Sequence, residues 1–356
     1  MIRPAACCRV IVADGWRLLT CGTSFSSVMS SAAGVVARWI APFLTVAVVA
    51  GMVLSTGPQI APAIRLADDA APVGGSPFYV DPNSAAMRAS KANPDSPELA
   101  YIANTPQAYW IDNLVPAAAV SRYLTGAWAA GAMPMLAMYS LPNRDCGSFA
   151  SGGHGSGAAY RGWIDSVAAQ IGGGPVTIIL EPDALDMADC LSGDARQERF
   201  DLIRYGVDTL TRNPAAAVYV DAGHSRWLPA EEIANRLNQV GIANARGFSL
   251  NTSNFFTTEE EIGYGEAISG MTGGKPYVID TSRNGNGPAD GELYWCNPSG
   301  RALGVQPTTA TGNGHIDAFL WVKRPGDSDG SCGRGNPGPG NFVNSFAIEL
   351  ARNAGH

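Results

Sequence analysis

Residues 176–183 read Val-Thr-Ile-Ile-Leu-Glu-Pro-Asp, and this stretch decides the fold. Its first five residues are strand formers, typical of a strand buried on both faces of a parallel sheet. The run ends in Glu181 and Asp183, and Pro182 between them stiffens the turn. In a barrel or doubly wound sheet, catalytic side chains gather at this end of the strands. The alternative is that the two acids only cap the next helix.

Six further apolar runs end in polar or acidic residues. Together the seven runs predict strands at residues 109–112, 135–140, 176–180, 217–221, 247–251, 277–280 and 318–323. The segments between them predict helices at residues 116–131, 158–171, 198–212, 230–240 and 259–271. Strand alternating with helix indicates βαβ units, and seven such strands favour a closed or nearly closed α/β barrel. The connection 280–315 lacks helical periodicity, and a loop of this length is usually functional.

Composition narrows the class of protein. Charged residues make up 15% of the 356 residues, and the net charge of −7 argues against nucleic acid as a partner. The chain has 4 histidines and no Cys-x-x-Cys or His-Glu-x-x-His motif, so we expect no metal site.

Residues 1–75 differ from the rest. The apolar run 39–54 follows Arg38, and small residues at 61–63 suit a signal peptidase, so an export signal is predicted. A membrane anchor is the alternative, although the run is short for a full span. Residues 1–28 are set aside because Met29 is a more ordinary start. We therefore expect an exported or anchored protein with a disordered lead and one barrel domain at residues 76–356.

Four cysteines remain after the lead: Cys146, Cys190, Cys296 and Cys332. An even number in an exported domain favours disulfides over free thiols. Three pairings are possible. The sequential pairing is preferred because it closes loops of moderate length at two strand ends.

Acids follow four of the expected strands. Asp145 follows the second strand, Asp183 the third and Asp221 the fourth, while Asp327 and Asp329 follow the last. Parallel strand ends meet at one rim, so these side chains are expected to converge. Neighbouring carboxylates raise the pKa of an acid, and a proton donor near neutral pH needs such a rise. Crowding by Asp145 and Asp221 would therefore make Asp183 a general acid.

Tryptophans accompany these acids. Trp227 and Trp295 lie in strand-end loops, where flat aromatic faces suit sugar rings, whereas Trp110 is more simply a core residue. No Gly-x-Ser-x-Gly motif is present to serve a serine nucleophile. Two carboxylates flanking a glycosidic bond suffice for its hydrolysis, so the residues predict an extracellular glycoside hydrolase.

Seven motifs then carry a resemblance to a known family. In order they are Tyr139-x-x-Pro-x-Arg-Asp-Cys146 with Ala-Ser-Gly-Gly153, Ile178-Ile-Leu-Glu-Pro-Asp-Ala-Leu185, Asp221-Ala-Gly-His-Ser-Arg-Trp227, Asn251-Thr-Ser-Asn254, Ile279-Asp-Thr-Ser-Arg-Asn-Gly-Asn-Gly-Pro288, Trp295-Cys-x-Pro-x-Gly-Arg301, and Asp317-Ala-Phe-Leu-Trp-Val-Lys323 running into Asp327-Ser-Asp-Gly330. They extend from about residue 76 to the C-terminus. The chain resembles glycoside hydrolase family six, the secreted cellulases.

The resemblance implies a distorted seven-stranded α/β barrel that hydrolyses β-1,4-glucan with inversion and without a cofactor. By position, Asp183 resembles the general acid and Asp145 the neighbouring acid that tunes it and helps to activate water. Asp221 matches a further carboxylate of the cluster, and Asp329 matches the proposed base. The implied disulfides are the sequential pairs. We expect a monomer that acts on a β-glucan polysaccharide or oligosaccharide.

The resemblance also implies sugar-binding positions. Tyr139 would distort the sugar ring at the cleavage point, and Ser151 would help to hold the water. The other matched positions are His224, Trp227, Asn254, Trp295, Arg301, Lys323 and Asp327, the last in place of the family's usual glutamate.

One departure concerns the sugar platform. Family members usually carry a tryptophan on the first helix. Alignment on Pro82 and Asn83 puts Ala89 at that position, and losing the tryptophan costs about 1 kcal/mol or more of sugar-binding energy.

The segments 297–313 and 331–341 are short, which favours an open cleft and internal cleavage. Two alternatives stay open: a glucan-binding protein of this fold with little or no turnover, and a hydrolase of a different self-made glycan.

Overall fold

The computed structural model describes residues 10–13, 16–19, 73 and 76–356, in two units that divide after residue 61. In the first unit, β1 (Val10–Ala13) and β2 (Trp16–Leu19) form an antiparallel pair. The predicted export signal at 39–54 and its cleavage site at 61–63 lie outside the described residues. None of the described helices has the length and apolar character needed to cross a bilayer.

The second unit is built on one sheet of seven parallel strands in sequential order. The strands are β3 (Tyr109–Ile111), β4 (Met135–Met138), β5 (Val176–Leu180), β6 (Ala216–Asp221), β7 (Gly247–Leu250), β8 (Tyr277–Asp280) and β9 (Ile316–Leu320). All seven predicted strands are confirmed. The last one begins and ends earlier than expected, since residues 321–323 leave the ladder to enter the rim.

The edges of this sheet meet through irregular backbone. The N–H of Ala108 donates to the carbonyl of Trp321 at 3.0 Å, and the Trp110 ring N–H donates to the carbonyl of Val322 at 2.8 Å. These bonds join the residues around β3 to those after β9, where no strand ladder is formed. The sheet is therefore the predicted distorted α/β barrel, nearly closed and not a regular cylinder.

Side chains on the strands alternate between two cores. On β5, Ile178 and Leu180 pack outward in the large core beneath the helices, whereas Ile179 points into the barrel with Ala137 and Ala217. Successive strand residues point to opposite faces, and here both faces are buried. This double burial explains why the sequence of β5 shows no polar alternation.

Helices separate most of the strands. They are α1 (Ala85–Ala92), α2 (Pro97–Ala103), α3 (Ala117–Ala129), α4 (Gly157–Ile171), α5 (Gly193–Leu210), α6 (Ala230–Gln239), α7 (Thr258–Met271) and α8 (Asn344–Asn353). The five predicted helices correspond to α3 through α7. The short helices α1, α2 and α8 were not predicted, and they pack together in a third core that includes Leu99, Trp321 and Leu350.

Candidate active site

A cleft of about 690 Å³ opens at the carboxyl ends of the strands, where a parallel barrel places its active site. Loops after six strands, β4 through β9, bring predicted site residues to it. Ten of these residues line the cleft: Tyr139, Asp145, Asp183, His224, Trp227, Asn254, Trp295, Lys323, Asp327 and Asp329. The fold thus gathers groups that are widely separated in the sequence.

The turn that carries Asp183 has an unusual backbone. Glu181 and Asp183 have φ of 52° and 66°, in the left-handed region that non-glycine residues rarely adopt. The Glu181 carboxylate is 1% exposed and accepts the N–H of Ser140 (3.0 and 3.1 Å) and of Leu141 (3.2 Å), which ties this turn to the end of β4. The short helix Asp186–Cys190 begins without a side-chain cap, so the helix-capping alternative is wrong.

Asp183 is partly exposed, and Asp221 is fully buried behind it. The N–H of Asp183 donates to Oδ1 of Asp221 at 2.9 Å. Burial and the negative charges of Asp221 and Asp145 raise the pKa of Asp183 well above its ordinary value, and Lys323 opposes this rise without cancelling it. Asp183 is therefore protonated at pH values where an ordinary aspartate is ionised, as a general acid must be.

Four hydrogen bonds hold the Asp221 carboxylate beneath the cleft. Oδ1 accepts the N–H of Asp183 (2.9 Å) and of Gly223 (3.2 Å), while Oδ2 accepts the hydroxyls of Ser249 (2.8 Å) and Thr252 (2.6 Å). Burial raises the pKa of Asp221 to about 6, although these hydrogen bonds favour its ionised form. Above that pH a negative charge lies directly behind the general acid candidate.

Asp145 lies in the loop after β4 with φ of 54°. Its Oδ2 accepts the N–H of Ala150 at 2.6 Å, and burial raises the pKa of Asp145. It forms no ion pair with another side chain of residues 76–356. Asp145 is thus a cleft carboxylate whose charge is not neutralised by a bound cation.

Asp329, in contrast, is held by two cations. Its Oδ2 lies 2.9 Å from the Arg283 guanidinium and accepts the N–H of Asn297 at 3.0 Å, and its Oδ1 lies 2.8 Å from Nζ of Lys323. Burial alone would raise the pKa of Asp329, but Arg283 and Lys323 hold it below the ordinary value. A carboxylate paired in this way is ionised but a poor proton acceptor. Its surroundings therefore oppose the predicted role as base.

Two disulfides connect the loops of the cleft. Cys146 is bonded to Cys190, which joins the loops after β4 and β5. Cys296 is bonded to Cys332, which joins the loops after β8 and β9. The predicted sequential pairing is confirmed, and each bond fixes a loop that carries a cleft aspartate.

Aromatic side chains flank the acids. Trp227 is 36% exposed and lines the cleft with Trp295. The His224 ring stacks on Phe256 with centroids 4.3 Å apart, and burial lowers the pKa of His224 to about 4, so this ring is neutral. Trp110, which was expected in the core, packs against the residues inside the barrel and also lines the cleft. These faces suit the apolar faces of sugar rings.

Three positions singled out in the sequence lie away from the cleft wall. Ser151 is exposed in the loop after β4, and the Arg301 guanidinium donates to the carbonyl of Gly287 at 2.6 Å, inside the β8–β9 connection. Their proposed roles stay predictions. Ala89, aligned with the sugar platform, packs against the core shared with α8 and lines neither large cavity. The alignment of Ala89 with the platform position therefore stays a prediction.

The structure adds residues that sequence reasoning missed. Asp112, which follows β3, pairs with Arg144 at 3.2 Å, and both line the cleft. Asp280, at the end of β8, is 1% exposed and accepts the N–H of Ser253 (3.0 Å) and of Lys323 (2.8 Å). A signal was present in the sequence, since both acids end an expected strand, as the predicted site acids do.

Comparison with known proteins matches this geometry to one family. The model of the family "Glycosyl hydrolases family 6" matches residues 73–354. The solved endoglucanase Cel6 from Mycobacterium tuberculosis, in complex with methyl-cellobiosyl-4-deoxy-4-thio-β-D-cellobioside, is 67% identical with a TM-score of 0.79, covering 81% of this chain and 100% of that one.

Endoglucanase A of Cellulomonas fimi is 49% identical over 286 residues, 78% of this chain and 62% of that protein. Endoglucanase A of Thermobispora bispora is 44% identical over 291 residues, again with 62% of its length covered. The chain therefore spans less than two thirds of these two relatives. Endoglucanase 1 of Streptomyces halstedii is 40% identical over 306 residues, 82% of this chain and 91% of that protein.

Proposed function

The chain belongs to glycosyl hydrolase family 6, and on this premise we propose that it is an inverting endo-β-1,4-glucanase. It hydrolyses internal β-1,4-glucosidic bonds of cellulose or a related β-glucan. The observation that carries this proposal is a partly exposed Asp183 in a cleft, with a pKa raised by burial and by two neighbouring aspartates. Relatives named as endoglucanases support it.

The first chemical step is proton donation to the glycosidic oxygen. Asp183 supplies this proton, because its raised pKa keeps it protonated at pH values where an ordinary aspartate is ionised, and because it lines the cleft. Burial raises the pKa of the Tyr139 phenol, and the nearby charges of Asp183 and Asp145 raise it further. This proximity to the two acids puts the ring of Tyr139 beside the reacting sugar. Donation by Asp183 lets the leaving sugar depart as a neutral alcohol.

The second requirement of inversion is a water on the opposite face of the sugar. Asp145 is the cleft carboxylate best suited to direct this water, because it forms no ion pair within residues 76–356 and burial raises its pKa in spite of the nearby charge of Arg144. Asp329 serves instead as an anchored anion that positions Lys323 in the cleft. This assignment gives Asp145 the larger part in activating water.

Two further features support the proposal. The two disulfides fit an exported protein, because such bonds persist in oxidising compartments. The connecting segments 297–313 and 331–341 are short, which leaves the cleft open to the interior of a long chain. The disulfides thus support secretion, and the short segments support internal cleavage.

The test is the substitution Asp183→Ala, with release of reducing ends from a soluble β-glucan as the measurement. We expect hydrolysis to be abolished while circular dichroism and the melting temperature stay close to those of the parent. Asp208→Ala is the matched control, because Asp208 is an exposed carboxylate on α5 outside the cleft. Unchanged hydrolysis by the Asp183 variant would refute the proposal.

Two product analyses test its finer parts. Proton NMR of the first product should show the α-anomer for inversion, and a β-anomer would contradict it. Internal cleavage should lower viscosity before many reducing ends appear, and the opposite order would indicate an exo-acting enzyme. Binding of cello-oligosaccharide without any released reducing ends would favour a glucan-binding protein instead.

A further inference from the structure

A second cavity, of about 600 Å³, adjoins the catalytic cleft. The two share Tyr109, Arg324 and Gly340 in their walls. The rest of the wall comes from the segment before α1, from α1 and α3, from the end of α2 and from the segment before β3. Its volume is within the range of sites that bind small molecules. We name it the arginine cavity, because Arg88, Arg122 and Arg324 line it.

The charged side chains of the arginine cavity are mainly cationic. Its wall contains three guanidinium groups and, among the described residues, one carboxylate, that of Asp81. The catalytic cleft has six carboxylates and four cationic side chains in its wall, and the whole chain has a net charge of −7. A cationic cavity is thus not a consequence of composition, and it favours anions locally.

Two of the three arginines are available to a ligand. Arg88 and Arg122 are exposed, and neither pairs with a carboxylate of residues 76–356. Arg88 donates one N–H to the carbonyl of Asn83, while Arg324 pairs with Asp327 at 2.5 Å. A guanidinium presents a planar fork of donors that matches a carboxylate, sulfate or phosphate.

Among the described residues, the aromatic rings in the wall of the arginine cavity are buried or, for Tyr109, half-buried. Tyr79 is 9% exposed, Tyr123 is 4% exposed, and the ring of Tyr109 is stacked on that of Tyr123 with centroids 4.6 Å apart. The cleft itself offers the exposed face of Trp227. Recognition in the arginine cavity therefore depends on charge and hydrogen bonds.

We propose that the arginine cavity binds an anionic substituent of the glycan chain, with Arg88 and Arg122 as its direct ligands. The substituent is a carboxylate, sulfate or phosphate on a sugar beyond the cleavage point. This inference rests on the proposed function and narrows its substrate class to acidic or acid-substituted β-glucans. A chain that occupies the cleft reaches the cavity past Tyr109, where the two walls join.

The test compares a neutral cello-oligosaccharide with two derivatives that have one carboxylate at C6 of a terminal glucose, at the non-reducing or the reducing end. We measure kcat/KM for three proteins: the parent, a double variant with Arg88→Gln and Arg122→Gln, and the single variant Arg212→Gln. We expect the parent to prefer at least one acidic derivative to the neutral sugar, and the double variant to lose about tenfold of that preference. Arg212 is an exposed arginine away from both cavities, and its variant should keep the preference.

An equal ratio of acidic to neutral kcat/KM in the parent and the double variant would overturn the inference. Titration with inorganic sulfate separates a free anion from one attached to the glycan. Sulfate binding that depends on both arginines, without any preference for an acidic oligosaccharide, would also overturn it. If the parent does not hydrolyse the neutral sugar, the proposed function fails. In that case the inference is tested separately from hydrolysis, by calorimetric measurement of the affinity of Asp183→Ala for the three oligosaccharides. We expect an acidic derivative to bind more tightly than the neutral sugar.

Discussion

The charge behind the general acid should set the alkaline limit of activity, and Asp221→Asn isolates that charge. The amide oxygen of Asn keeps the acceptor for the N–H of Asp183 and Gly223, and the hydroxyls of Ser249 and Thr252 rotate to accept from its NH2 group. All four hydrogen bonds are retained in this arrangement. The substitution therefore removes a negative charge and leaves the local structure in place.

The size of the effect follows from Coulomb's law. Two unit charges on the order of 6 Å apart, at an effective dielectric constant of about 20, interact by about 3 kcal/mol, or about 2 pKa units. Asp221 has a pKa of about 6, so above that pH its negative charge opposes the ionisation of Asp183. Without that charge the pKa of Asp183 should fall by about 1–2 units, and burial should still hold it above the ordinary value.

The assay is the pH dependence of kcat/KM on a soluble β-glucan. Activity needs protonated Asp183 and falls as the pH rises through its pKa, so the alkaline limb should move to lower pH in Asp221→Asn. Asp208→Asn changes the net charge equally on the outer face of α5, and it should leave the limb in place. An unmoved limb in Asp221→Asn, or one at higher pH, would refute the reasoning.

Three other predictions concern stability and binding. Replacing Cys146 and Cys190 by Ser should lower the free energy of unfolding by about 4 kcal/mol in urea denaturation, because the bond spans 44 residues. Gly223→Ala should cost about 2 kcal/mol or more by the same measurement, since φ is 63° and a Cβ would lie 2.4 Å from the Asp186 carboxyl; a stable variant would contradict this geometry. Trp227→Ala should raise KM about fivefold with a smaller change in kcat, and an unchanged KM would exclude ring stacking there.

Much of the fold was predictable because it follows from local patterns. Strands β5 and β6, for example, are short apolar runs with both faces buried, so their sequences show no polar alternation. The helices α1, α2 and α8 escaped prediction for a physical reason: α2 has seven residues, and the three are stabilised by packing on one another around Trp321, which is a tertiary effect.

The membership of the site was predictable, but its electrostatics were not. Strand-end position alone selected Asp145, Asp183 and Asp329 for the cleft. What each carboxylate can do depends on its partners in space. Arg283 and Lys323 lower the pKa of Asp329 against the effect of burial, whereas burial raises the pKa of Asp183 and of Asp145. No pattern in the sequence shows which cation pairs with which acid.

The buried acids at the strand ends explain how the reactive groups are held. Glu181 accepts the N–H of Ser140, next to Tyr139.

Asp221 accepts the N–H of Asp183 itself, and Asp280 accepts the N–H of Lys323. In each case a carboxylate at the end of one strand binds backbone of an adjacent loop, so the rim is cross-linked by charge-assisted hydrogen bonds. These bonds can stabilise the left-handed backbone of Asp183, which a non-glycine residue adopts only at a cost of about 1–3 kcal/mol. Of these buried acids, Asp221 holds Asp183 directly, through the N–H of Asp183, and so helps to keep it in position at the cleft.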